Sequence, residues 1–435
     1  MKYTTNIQAF LNSPENLESL YQSARQANEE AEFRTDFQEV FDKSPDNILL
    51  AAWNARFMQM PLLKVKRTTN WLLAVILGLV TGAILWAISD PSLTIKNGAP
   101  YITLLWSPIA TIPTLIFLSA ISKRNYLYTG LIALALIVAG VYALVMAPRM
   151  SSYPSNDYLI LMLFVLPLLC WMGLGIAVLK FKSSTNNRFS FLIKSIEVII
   201  TAGVYLIFGV AFGMITIAMF AALNVTFPDV LMRLAVAGGF GLIPIMAVAT
   251  MYDPLLQPEA QDFSQGLSKF IFTMMRLLLP LTLIVLVIYL LVIPFNFMAP
   301  FQNRNLLIVY NVMQFAIIGL LIGATPLKLD DLSEKLQTWL RRGILAVAIL
   351  ALVVSLYALS AVVYRTVGDV LTLNRLTIIG WNIINIAILF VLIYTQFTKT
   401  SPAWHERLQH VFSRATTVYL IWSVFLVLAL PLIFR

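Results

Sequence analysis

Two pairs of amide side chains interrupt long apolar runs in the last third of the chain. Asn311 and Gln314 form the first pair, and Asn382 and Asn385 form the second. This spacing puts both members of a pair on one face of a helix. At 1.5 Å per residue, Gln314 and Asn385 would lie roughly 12–14 Å along their helices, near the middle of a bilayer. Amides at that depth need hydrogen-bond partners, from a neighbouring helix or from a bound ligand.

A short polar segment precedes the second amide pair and contains Arg365, Asp369, Thr372, Asn374 and Arg375. Together with the four amides, these groups predict a polar pocket that opens to the outer side of the membrane beneath two guanidiniums. Such a pocket suits an anionic or polar, headgroup-like ligand. The alternative is structural, because amides also join membrane helices by hydrogen bonds and Arg365 could simply pair with Asp369.

Three glycines and a proline are clustered in the sixth apolar run, as Gly238, Gly239, Gly241 and Pro244. This composition predicts a candidate broken helix, of the kind that transporters use to bind ions near mid-membrane. Small residues also let two helices pack closely without any break. We see no inverted repeat that would favour transport.

Glu197 is the only acidic residue well placed to enter a membrane-spanning run, and Lys194 lies three residues before it. A carboxylate inside a membrane protein can couple a proton. The simpler interpretation is an ion pair with Lys194 at the cytoplasmic surface.

Residues suited to catalysis are scarce. The two histidines, His405 and His410, are spaced one residue too far apart for the zinc motif His-Glu-x-x-His and do not share a helix face. We find no Gly-rich phosphate loop, no Ser/His/Asp set and no carboxylate pair at glycosidase spacing. We therefore expect no enzymatic activity, no metal and no cofactor.

The composition is that of a membrane protein. Of the 435 residues, 59% are hydrophobic and 12% are charged, whereas a soluble protein carries roughly 25% charge. The apolar residues form runs of about 20, which cross a ~30 Å hydrocarbon layer as helices. We predict an all-α polytopic membrane protein with eleven spans, at about 70–88, 101–121, 126–147, 158–179, 195–224, 230–250, 274–295, 306–325, 344–364, 376–396 and 415–433.

Three connections on one side of the membrane carry apolar faces of their own, before the spans that begin near residues 274, 344 and 415. Trp339 and Trp404 lie on two of these faces. An apolar face with Trp and flanking basic residues is typical of a helix in the headgroup boundary, so we predict three interfacial helices.

The basic residues fix the predicted orientation. With the N-terminus in the cytoplasm, only seven of the thirty Lys and Arg residues fall outside, which is the positive-inside pattern. We predict a bacterial inner-membrane protein with its N-terminus inside and its C-terminus outside. The net charge of +9 then reflects topology and contact with anionic lipid headgroups, and we expect no nucleic-acid partner. The seven outer residues are Lys96, Arg149, Arg233, Arg304, Arg365, Arg375 and Arg435.

Residues 1–63 differ from the membrane domain, 64–435, because they are polar and hold nine of the twenty-one acidic residues. Two segments, 13–17 and 44–48, repeat one pattern in which Ser and Pro mark a helix start. A period near 31 resembles a tetratricopeptide-type repeat. We predict a repeat-like helical hairpin that binds a cytoplasmic partner, or else a cap on the protein's own loops. Its helices are predicted at 14–27, 29–43 and 45–60.

Arg365, Thr372, Asn374 and Arg375 form a spaced motif that leads into a membrane span. The motif resembles that of a bacterial family of inner-membrane proteins classified as domain of unknown function 4153. That family has a Tyr-Gly pair where this chain has Asp369-Val370. The resemblance covers roughly residues 190–400 and implies a multi-helix membrane architecture, but it implies no activity.

We therefore expect a non-catalytic multi-pass protein that acts as a scaffold or sensor for a cytoplasmic or membrane partner. The alternative is a transporter or channel for a polar or anionic solute, with the outer pocket as its binding site and the sixth span as its moving element. A third class, a lipid-modifying enzyme, rests only on the outer arginines.

Overall fold

The chain divides into two compact units, Met1–Thr69 and Asn70–Arg435. The domain boundary expected between residues 63 and 64 lies in 60–68, outside the described residues. The structure, a computed structural model, describes residues 2–26, 29–59, 69–95, 99–122, 126–180, 183–225, 228–263, 266–329, 332–397 and 403–434.

The first unit contains short helices, and one of its two predicted Ser-Pro starts is confirmed. The second helix begins at Pro14. The predicted start at Pro45 is wrong, because Asn47 caps the last helix instead: its Oδ1 accepts a hydrogen bond from the Leu50 amide at 3.1 Å. The helices are α1 (Thr4–Ala9), α2 (Pro14–Gln26), α3 (Glu30–Lys43) and α4 (Ile48–Gln59).

An aromatic core holds this unit together. Tyr21 packs edge-on against Trp53 with ring centroids 5.3 Å apart, and Phe37 does so against Phe57 at 5.0 Å. Phe33 is fully buried between these rings. Aromatic pairs of this geometry contribute beyond the area that they bury, so the unit has a core of its own.

The described part of the second unit is mostly helical and contains no strand. Eleven of its helices, all except the four-residue α12 and α17, are long and apolar enough to cross a membrane. The prediction of an all-α protein with eleven candidate spans is confirmed. The helices are α5 (Trp71–Ile88), α6 (Ile102–Ser122), α7 (Tyr126–Met146), α8 (Ser152–Leu179), α9 (Thr185–Ala222), α10 (Asp229–Met251), α11 (Gly266–Val292), α12 (Ala299–Gln302), α13 (Arg304–Ala324), α14 (Glu334–Gly368), α15 (Leu373–Phe397), α16 (Trp404–Leu428) and α17 (Leu430–Ile433).

The three predicted interfacial helices are not separate elements. Each forms the first turns of a spanning helix, namely α11, α14 and α16. The apolar face of α16 turns inward, since Leu408 and Phe412 are buried in the protein core. In the first turns of α14, Leu340 is buried, whereas Leu336 and Trp339 are exposed. Sequence periodicity shows that a face is apolar, but not whether protein or lipid covers it.

Three apolar cores lie within the described part of this unit. The first is built mainly by α11 and α13–α16, the second mainly by α6–α8, and a smaller third by α5, α6 and α10. Two helices contribute to both of the first two cores: α15 places Leu389 in the first core and Trp381 in the second, and α16 places Phe412 in the first and Leu426 in the second. The packing of α15 and α16 in both cores therefore fixes the positions of the polar residues on these two helices.

α9 has two different halves. Its first half, up to Thr201, is largely buried against other helices. From Ala202 to Val225 no residue is buried. The second half of this 38-residue helix is therefore apolar but largely uncovered by the described part of the chain.

Candidate functional site

The four predicted amides meet in one hydrogen-bonded chain between α13 and α15. Asn385 donates to the Gln314 side-chain oxygen at 3.4 Å, and Gln314 donates to the Asn382 oxygen at 2.7 Å. Asn382 donates to the Asn311 oxygen at 2.8 Å, and Asn311 ends the chain on the Leu307 carbonyl at 2.7 Å. The i, i+3 spacing on each helix puts both members of a pair on the shared face.

Tyr419 on α16 completes this amide network, and the sequence analysis did not identify it. Its hydroxyl donates to the Asn385 oxygen at 2.7 Å. Its position within the last predicted span could have pointed to such a role, since a buried tyrosine hydroxyl usually needs an acceptor. The network thus links α13, α15 and α16.

Every side-chain nitrogen and oxygen atom of the amide network has a protein partner. Gln314, Asn382 and Asn385 are also almost completely buried. A ligand that used these amides would first have to break bonds between them. The arrangement therefore matches the structural alternative, hydrogen-bonded packing of membrane helices.

An apolar cavity lies beside the amide network. It has a volume of about 120 Å³. Phe315, Trp381 and Tyr419 contribute to both the cavity wall and the surroundings of the network, with the Phe315 and Trp381 ring centroids 5.2 Å apart. Its walls are mostly aliphatic and aromatic, so the cavity offers little to a polar or anionic solute.

Within the polar segment before α15, Asp369 and Arg375 pair with each other. The Arg375 guanidinium donates to Asp369 at 2.7 Å and to the Val370 carbonyl at 2.9 Å. The Thr372 hydroxyl accepts from the Arg375 amide at 3.4 Å, at the start of α15. Asp369 is 67% exposed, so this ion pair is largely solvated.

Arg365 and Asn374 take no part in that ion pair. Arg365 lies in the last turn of α14, half-buried, with one terminal guanidinium nitrogen that has no hydrogen-bond partner among the described residues. Asn374 is half-buried in the first turn of α15. The structure thus brings the four amides together, and it separately pairs Asp369 with Arg375. In the described part of the chain no hydrogen bond joins the amides to this ion pair.

The candidate broken helix is continuous, which corrects the expectation for Gly238, Gly239, Gly241 and Pro244. α10 runs from Asp229 to Met251 without interruption. A Cβ atom added at Gly241 would lie 2.7 Å from the Gly78 carbonyl oxygen on α5. Gly241 is therefore required by close packing of α5 on α10, and a Cβ atom at Gly82 on α5 would lie 3.0 Å from the Gly238 Cα atom. A Cβ atom at Gly239 would meet only Ile243 of α10 itself, at 3.9 Å. Pro244 is tolerated within a packed membrane helix.

The Lys194–Glu197 pair exists, but it is not at the surface. Its two side chains are 4% and 1% exposed, and the Lys194 ammonium lies 2.6 Å from the carboxylate. The segment 253–263 accounts for this burial, because the Asp262 carbonyl accepts a bond from Lys194 at 2.7 Å. The sequence gives no sign that this connection folds back onto α9.

The histidines lie apart from any metal cluster. His410 faces Thr185 across α9 and α16 at 3.2 Å, and His405 is buried on α16. Among the residues that the structure describes, no three His, Cys, Asp or Glu side chains come together in a way that could hold a metal.

The first unit carries an open cleft between α2 and α4, with a volume of about 620 Å³. Arg56 forms an ion pair with Glu18 and stacks over the Trp53 ring at 4.5 Å. These contacts hold the wall of the cleft in place. The cleft is lined by Pro14, Glu15, Glu18, Ser19, Gln22, Trp53 and Arg56.

Glu29 holds the N-terminal residues of this unit in place by accepting hydrogen bonds from them. Lys2 donates to both oxygens of Glu29, at 2.7 and 2.6 Å, and the Tyr3 hydroxyl donates to the same carboxylate. Hydrogen bonds from Lys2 and then Tyr3 lower the pKa of Glu29 below its usual value. The contact therefore depends on an ionised Glu29.

Comparisons with protein-family models, with curated proteins and with solved structures found no match to this chain.

Proposed function

We propose that this protein is a non-catalytic, multi-pass protein of a bacterial inner membrane that acts as a scaffold or sensor for a protein partner. Its N-terminal unit lies in the cytoplasm and binds the partner, and its C-terminus lies outside. The uneven distribution of Lys and Arg supports this orientation and contact with anionic headgroups. The motif that ends at Arg375 supports the bacterial family assignment.

The observation that carries the proposal is the independent core of the first unit. A cap would be expected to depend on the membrane unit for its burial, whereas Tyr21, Phe33, Phe37 and Trp53 bury one another. The unit also presents an open cleft with acidic residues on its wall. Trp53 and Arg56 belong to the residue types that are enriched at the centres of protein interfaces.

Solute transport through the expected outer pocket has less support. The amides that would line the pocket bond to one another, and α10, the expected moving element, is a continuous helix tightly packed on α5.

Site-specific photo-crosslinking tests the proposal in the intact protein. A photoreactive residue is placed at Ser19, exposed in the cleft, and as a matched control at Asp42, exposed on α3 and outside the cleft. Both variants are irradiated in cells, purified in native nanodiscs and analysed by mass spectrometry. A parallel sample lacks residues 1–63.

A defined adduct at Ser19 that is absent at Asp42, together with loss of the same partner from the truncated protein, would support the proposal. Equal labelling at both positions, or a partner that the truncated protein retains, would contradict it.

A further inference from the structure

Glu197 is a buried carboxylate with only one of its two oxygens engaged. Oε2 accepts a hydrogen bond from Lys194 at 2.6 Å. Oε1 has no partner at hydrogen-bond geometry among the described residues. The buried Ser268 hydroxyl of α11 is close enough to favour the ionised carboxylate, but it offsets only part of the desolvation cost of the buried charge. Adding a proton removes that cost.

Lys194 does not depend on the charge of Glu197. Its ammonium also donates to the Asp262 carbonyl at 2.7 Å and lies 4.6 Å from the centroid of the Phe263 ring. Both contacts favour a cation and persist when Glu197 is neutral. The pair is therefore asymmetric, because neutral Glu197 leaves Lys194 with partners, whereas loss of Lys194 would leave a buried anion alone.

The length of α9 places Glu197 outside the unburied stretch of this helix. The unburied stretch from Ala202 to Ala222 is about 31 Å long at 1.5 Å per residue and matches the ~30 Å hydrocarbon layer. Glu197 lies more than one turn before that stretch, towards the helix end that is preceded by the polar connection near residues 183–185.

The charged groups around the site belong to several elements. The Asp262 carboxylate, on the segment before α11, is close enough to act against a negative charge on Glu197. Lys269 of α11 is exposed and Arg188 lies more than two turns away on α9. On the other helices packed against α9, His410 of α16 meets α9 at Thr185, and Arg414 of α16 lies near His410. Arg233, near the start of α10, pairs with Asp90.

We infer that Glu197 is a reversible proton-binding site, whose neutral form is accommodated because Lys194 keeps the Asp262 carbonyl and the Phe263 ring as partners. One proton from water adds to the carboxylate and gives a neutral carboxyl group, while Lys194 keeps all its protons. Proton binding breaks the charge attraction between α9 residues and leaves α9 attached to segment 253–263. This site lies in the membrane unit and does not depend on the partner proposed above.

Infrared difference spectroscopy of the full-length protein in liposomes tests the inference. The C=O stretch of a protonated, buried carboxyl group is followed as the pH is lowered, in the wild type, in Glu197→Gln and in Glu259→Gln. Glu259 is an exposed acid on the same segment 253–263 and serves as the matched control. A third variant, Lys194→Met, removes the ammonium but keeps the carboxylate.

We expect a band in the wild type and in Glu259→Gln that is absent from Glu197→Gln. In Lys194→Met the proton affinity of Glu197 should rise about tenfold or more, because a neighbouring cation favours the ionised form. Glu197→Gln mimics the neutral acid and should fold normally. Identical spectra for the wild type and Glu197→Gln, an unchanged midpoint in Lys194→Met, or failure of Glu197→Gln to fold would each overturn the inference.

Discussion

Replacing Gly241 with alanine should separate α5 from α10. The added Cβ would lie 2.7 Å from both the Gly78 carbonyl oxygen and the Gly82 Cα atom, and closer still to the Gly82 amide nitrogen. These are backbone atoms, so no side-chain rotation relieves the contact. Carbon atoms pack at about 3.5–4.0 Å, so the helices must move apart by about 1 Å. Overpacking of a close-packed interior costs about 1–3 kcal/mol, so we expect Gly241→Ala to lower the free energy of unfolding by this amount.

Gly213→Ala is the matched control on α9. A Cβ atom there meets nothing within 4 Å, and alanine is favoured over glycine inside a helix by roughly 0.5–1 kcal/mol. Thermal unfolding in detergent, followed by the monodisperse fraction that remains, should show Gly241→Ala well below the wild type and Gly213→Ala equal to it or above it. If both variants unfold together, the reasoning on the α5–α10 contact is wrong.

The remaining predictions concern three polar sites. Asn385→Leu should lower the unfolding free energy by about 1–3 kcal/mol, because it leaves buried partners without hydrogen bonds. A double-mutant cycle of Asn385→Leu with Tyr419→Phe should return a coupling energy of about 0.6 kcal/mol. If the effects of the two substitutions simply add, the two side chains do not share a direct hydrogen bond. Glu29 has a lowered pKa, so its contact with Lys2 should hold above the usual carboxyl range and be lost as the pH falls through the folded-state value. The hydrogen-exchange protection factors of residues 2–9, which are corrected for the pH dependence of intrinsic exchange, should then fall with acid in the wild type but stay constant across pH in Glu29→Gln. Asp369→Asn should change the thermal stability by less than about 0.5 kcal/mol because the pair is solvated, and a larger loss would show a buried role.

The sequence predicts elements better than it predicts neighbours. Eleven spans were predictable because a bilayer requires long apolar runs, and hydropathy reports these directly. The faces of Gln314 and Asn385 were predictable from spacing on each helix. The contribution of Tyr419 was not, because it depends on which helix packs beside α15, and spacing along one helix carries no information on helix order.

Two corrections have the same cause. Gly241 was ambiguous between a broken helix and a close contact, and only the approach of α5 decides between them. Glu197 was expected at the surface because Lys194 follows a polar connection. It is buried because segment 253–263 folds back and supplies the Asp262 carbonyl, a contact across 68 positions of the chain.

The cavity beside the amide network has a consequence for the response to hydrostatic pressure. About 120 Å³ per molecule corresponds to about 70 mL/mol, which is within the range of volume changes that accompany unfolding. Compression favours states in which such a void is filled or lost. The meeting point of α8, α9, α13, α15 and α16 is therefore a compressible part of the membrane unit, and a small apolar molecule such as xenon would fit this void.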